Sequence, residues 1–106
     1  MKNTKEKGMV EFFVYHERNS YVGVCLTFGI LEEGTNSLAL MESIKEAAML
    51  HLEVVVKNNL SDELLNRHAP KKYWDKYHEA LKQSSLKADN FFIRSPYQRQ
   101  VGMAFA

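Results

Sequence analysis

The side chains best suited to catalysis or metal binding are four histidines, one cysteine and a few carboxylates. His16, His51, His68 and His78 are scattered, with no pair at the spacing of ligands on one helix and no cysteine beside them. A zinc site needs three or four converging ligands, so neither a metal nor a cofactor is expected. There is no phosphate loop and no GxGxxG. Cys25 lies in a β-branched run rather than at a helix start, where a thiolate would be stabilised, so it reads as a structural thiol. His51, between Leu50 and Leu52, reads as a ring at the flank of a core with a satisfied nitrogen; the alternative is a proton donor in a pocket. Glu42, Glu46 and Glu53 read as the solvated side of a helix. No catalytic residue is assigned, and the chain is not expected to be an enzyme.

A second pattern is more suggestive of binding. Arg67, His68, Lys71, Lys72 and Lys76 alternate with Tyr73, Trp74 and Tyr77. Cations beside aromatic rings can grip single-stranded nucleic acid through phosphate contact and base stacking. Fourteen Lys+Arg against thirteen Asp+Glu give a formal charge of only +1, however, without the basic excess of a nucleic-acid binder. The rings also fall at the spacing of a helix's packed face. Tyrosine and tryptophan near basic side chains equally suit a protein interface.

These residues need elements to hold them. The chain has 106 residues, 45% hydrophobic and 25% charged, which is ordinary for one globular domain. A lone cysteine forms no disulfide within the chain, as expected for a cytoplasmic protein. No run approaches the roughly 20 apolar residues of a membrane span, so no membrane association is expected. Residues 1–8 are polar and read as a flexible lead-in; residues 9–106 form one domain.

Within it, residues 9–59 make a hairpin and a long helix. Met9–Tyr15 and Tyr21–Phe28 are rich in aromatic and β-branched residues and flank the turn-like Glu17-Arg18-Asn19-Ser20. Ile30–Glu33, between Gly29 and Gly34, is a short third strand or extended loop. From Ser37 to Lys57, Leu38, Met41, Ile44, Ala48, Leu52 and Val55 recur every three or four residues, and Leu40, Ala47, Leu50 and Val54 widen the stripe. Thr35, Asn36 or Ser37 suits the N-cap, and Asn58-Asn59 the C-terminus. Residues 60–90 read as a helical insertion, with Ser61 capping a short turn and Pro70 opening a helix to Ser84. Residues 91–106 read as a strand-like tail: a short strand over 90–94, then Val101, Met103 and Phe105 alternating with Gln100, Gly102 and Ala104.

The fold class is therefore α+β: an antiparallel sheet of three to four strands with one long helix packed on one face, plus the insertion and the tail. The helix is expected to bury Val10, Phe12, Val14, Val22, Val24 and Leu26. Rings then remain beyond what one helix covers. Phe13, Tyr15 and Tyr21 on the outward sheet face, with Tyr73, Trp74 and Tyr77 on the second helix, form the candidate partner-binding surface. The apolar tail should pair with its own sheet or with another chain, which makes a homo-oligomer an expectation.

Tyr21-Val22-Gly23-Val24-Cys25, Gly34-Thr35-Asn36 and Glu46-Ala47-Ala48-Met49-Leu50-His51-Leu52-Glu53 stand in a strand, a turn and a helix in that order. Over residues 9–57 this resembles the partial ribonuclease-H-like domain of HicB-type antitoxins. The resemblance implies a non-catalytic protein that neutralises a small HicA-type ribonuclease toxin by occluding it. No ribbon-helix-helix or helix-turn-helix is evident, so DNA is not an expected partner. The alternatives are a stand-alone homo-oligomeric interaction domain and, more distantly, a degenerate ribonuclease-H-like nuclease. The nuclease would need several carboxylates for two-metal chemistry, whereas the body of the first two strands supplies only Glu11.

Overall fold

The structure, a computed structural model, describes residues 2–82 and 91–98. Strands β1 (Lys7–Glu17), β2 (Ser20–Cys25) and β3 (Ile30–Gly34) lead into helix α1 (Ser37–Lys57). A short 3₁₀ helix (Asp62–Leu65), helix α2 (Lys71–Lys82) and strand β4 (Phe91–Gln98) follow. The four strands form one sheet in the order β3-β2-β1-β4, and every neighbouring pair is antiparallel. The α+β class is as expected, and β4 supplies the fourth strand.

The hairpin turn decides the inside of the molecule. Arg18 adopts a φ of 57° in a two-residue connection between paired Glu17 and Ser20. This register sets Phe12 opposite Cys25, Phe13 opposite Val24 and Tyr15 opposite Val22. Directly paired residues of an antiparallel sheet share a face. Val22 and Val24 therefore join Phe13 and Tyr15, not Val10, Phe12 and Val14. The expectation that α1 buries Val22, Val24 and Leu26 is overturned; those three belong to a second core on the opposite face.

Helix α1 covers the first face. Asn36 caps it by accepting from the Ala39 N–H at 2.9 Å, and Leu40, Met41, Ile44, Ala48, Leu52 and Val55 are buried. They meet Val10, Phe12, Val14, Cys25 and Phe28. Gly23 lets the helix approach closely: a Cβ there would lie 2.8 Å from Ile44 Cδ1. Val54-Val55-Val56 prefers strand locally, yet Val55 is sealed in the core and packing overrides the preference. Leu38, Leu50 and Val54, expected within the stripe, are exposed. The sheet is too narrow to cover so wide an arc.

Within residues 1–8, read from the sequence as a flexible lead-in, several described residues make contacts with the rest of the fold. Asn3 is buried, and its side chain donates to the carbonyls of Met9 and Leu65 and accepts from the Met9 N–H. Its own N–H donates to Asn66 Oδ1 at 2.8 Å, and Asn66 Nδ2 donates back to the Asn3 carbonyl. Lys5 pairs with Asp62 at 2.8 Å, and the Tyr97 hydroxyl donates to the Thr4 carbonyl. A carboxamide carries donor and acceptor together, so one asparagine can hold three backbone groups at once. Asn3→Ala leaves two carbonyls and one N–H without these partners, and is expected to cost about 1–3 kcal/mol. Urea unfolding measures it; a loss within about 0.5 kcal/mol, the range of ordinary surface changes, would contradict this anchoring.

Strand β4 runs unbroken through Ser95-Pro96 rather than ending at residue 94. Pro96 is tolerated because β4 lies at the sheet edge. The expected break near residues 84–90 and the alternating residues 99–106, with the pairing assigned to them, lie outside the described residues.

Candidate protein-binding groove

Helix α2 lies on the sheet face opposite α1. Pro70 precedes it, and the Ala69 N–H donates to the Leu26 carbonyl at 2.9 Å, tying its start to the end of β2. Tyr77 is buried between rings of β1 and β4, with centroids 5.7 Å from Phe13 and 5.3 Å from Phe92. Its hydroxyl donates to Glu11 Oε2 at 3.4 Å, and Arg94 Nε lies 3.6 Å from the same oxygen. Burial, followed by the nearby Glu11 charge, raises the Tyr77 phenol above its ordinary pKa. Glu11 thus serves the docking of α2.

The bare outward face expected from the sequence is consequently absent. Phe13, Tyr15 and Tyr77 are buried in the second core, with Tyr73 and Trp74 half-buried against it. Tyr21 sits on the other face, packed against the first core, its ring 4.9 Å from His16. Five of the six candidate partner-binding rings therefore gather on one face, where their first contacts are with one another. The tyrosine and tryptophan stripe of α2 fills the face because aromatic rings bury large areas and favour stacked and edge-on contacts.

What remains accessible is the strip that α2 does not reach. Between α2 and β3 lies an open groove of about 440 Å³. Tyr15 and Val22 line its sheet side, Lys72, Tyr73 and Lys76 line its helix side, and Leu31 and Glu33 stand at its rim. The Lys72 ammonium lies 5.0 Å from the centroid of its neighbour Tyr73, and Lys76 lies 5.1 Å from that of Tyr15. A cation over a ring face is held by the ring quadrupole. Desolvation first, and then the Glu17 carboxylate, push the Tyr15 phenol up to about 12, so it stays protonated at neutral pH.

Among the described residues, strand β3 pairs only with β2. Its outer edge is open among the described residues, and Leu31 is 45% exposed there. Sequence reasoning passed over Leu31, Glu32 and Glu33. The available signal was two adjacent carboxylates in a short segment bounded by glycines.

Cys25 and His51, the other chemical candidates, are held by packing. Cys25 is fully buried, and burial pushes its thiol up to about 12, so no thiolate forms near neutral pH. His51 packs on Phe28 at 4.9 Å and shares a hydrogen bond with the Leu64 carbonyl. Among the described residues no group of three His, Cys, Asp or Glu side chains converges on a common point. No helix among them is long and apolar enough to cross a membrane. Comparison with protein families, with curated proteins and with solved structures finds no match to this chain.

Proposed function

We propose that this chain is a non-catalytic binding protein that acts in the manner of a HicB-type antitoxin, covering a small ribonuclease toxin and blocking its substrate. The groove between α2 and β3 supports the binding role. It offers two tyrosines, two lysines and an exposed leucine beside an open strand edge. Tyr73, half-buried against the second core, is a favourable anchor, because little side-chain freedom remains to be lost on association. The toxin as occupant rests on the resemblance of residues 9–57. Occlusion needs area and fit but no reactive group.

The test is co-expression with any small basic protein found to be encoded beside this chain. A stoichiometric complex that suppresses RNA cleavage by that neighbour is expected. In the Tyr73→Ala/Lys76→Glu double variant, affinity should fall about 30-fold or more, the effect of losing a central tyrosine anchor. Unchanged circular dichroism would show that the variant folds. No complex with the neighbour, or undiminished affinity in the folded double variant, would refute the proposal.

A further inference from the structure

Adjacent residues of a strand point to opposite faces. Glu33, opposite Val22, therefore projects to the α2 side. Glu32, opposite Gly23, projects to the α1 side, where it accepts a hydrogen bond from Ser43 Oγ at 2.6 Å. The two carboxylates straddle the edge of β3 that is unpaired among the described residues, one above and one below the plane of the sheet. The segment Ile30–Gly34 contains no basic residue. Lys72 and Lys76 lie on tyrosine rings, and no ion pair joins either to Glu32 or Glu33.

We infer that the partner is held by strand addition: an extended segment carrying two consecutive basic residues pairs with the outer edge of β3 as a fifth strand. Alternation would then direct one basic side chain to Glu32 and the next to Glu33. The face turned toward α2 would cover Leu31 and enter the groove. Backbone pairing supplies attachment in such complexes, and alternate side chains supply selectivity. A second copy of this chain is a poor occupant, since antiparallel β3–β3 pairing centred on the strand sets Glu32 directly against its own copy, and like charges directly opposite are unfavourable. The same charges keep an open edge from pairing with itself. This inference deepens the proposed function and rests on it for the identity of the partner, but not for the mode of attachment.

The probe is a synthetic eight-residue peptide of alternating threonine and valine with Lys-Arg at its centre, titrated into the full chain. Binding should slow amide exchange within Ile30–Gly34. A Glu-Asp version should bind about tenfold or more weakly, and Glu32→Lys/Glu33→Lys should reverse the preference. Absence of binding, binding without slowed exchange in β3, or equal affinity for both peptides would overturn strand addition. The neighbour's complex separates the two proposals. If it survives Glu32→Lys/Glu33→Lys but not Tyr73→Ala/Lys76→Glu, the binding role stands and strand addition falls. If the neighbour does not bind but the basic peptide does so with slowed exchange in β3, strand addition stands and the toxin reading falls.

Discussion

Phe12→Ala is expected to destabilise the fold by about 3–5 kcal/mol, the range for truncating a sealed aromatic side chain. Phe12 is completely buried in the middle of β1, opposite Cys25 on one side and Ile93 on the other. It lies within the core that also holds Ile44, Ala48 and Leu52 of α1. Its removal takes a ring out of water-free surroundings and leaves a void that a sheet hydrogen-bonded on both sides cannot readily close. Denaturant unfolding followed by circular dichroism measures the loss. A change below about 1 kcal/mol, far smaller than the cost of truncating a buried phenylalanine to alanine, would remove Phe12 from the core.

Phe13→Ala is expected to cost a similar 3–5 kcal/mol, and this second result tests the two-sided architecture. If the second face were open, the side chain would point to water and its loss would change stability by about 0.5 kcal/mol or less. Instead Phe13 is 2% exposed. Its ring stacks on Phe92 at 5.0 Å with an angle of 3°, lies 5.1 Å from Tyr15 and meets Tyr77 edge-on. Truncation therefore removes a ring from the contact between β1, β4 and α2. The intrinsic fluorescence of Trp74, whose ring lies 6.2 Å from that of Tyr77, should report the loosening of α2. A small loss of stability with unchanged fluorescence would mean that α2 does not seal this face.

The two substitutions separate what could be read from the chain by inspection. Helix α1 was legible to its ends: periodicity marks Ser37–Lys57, and Asn36 and Asn58 are caps of the expected type. The strand character of β1 and β2 was equally plain, because aromatic and β-branched residues dominate both. Which face of β2 joins which face of β1 was not plain. Alternation groups residues within a strand, but the length of the turn decides the grouping between strands. With only Arg18 and Asn19 between Glu17 and Ser20, even-numbered residues of β1 face odd-numbered residues of β2. Had the turn taken in Ser20 as a third residue, Glu17 would pair with Tyr21, and Val22 and Val24 would share the face of Phe12.

The candidate site shows the same division. The sequence marked the rings of β1 and α2 as candidates, yet it could not say that Phe13, Tyr15 and Tyr77 would bury one another and leave Tyr73 at a groove. Asn3 was invisible for a related reason. Its value comes from Met9, Leu65 and Asn66, and the latter two lie some sixty positions away in the chain.

By itself the amino-acid order determined the elements, their caps and the α+β class, since these follow from interactions among residues a few positions apart. Only the tertiary structure decided that the sheet is covered on both faces, that β3 keeps a free edge among the described residues and that a groove opens beside it. Those features depend on how far α2 extends over the sheet and on the order of the strands. Both are set by packing between distant segments, which no local pattern encodes.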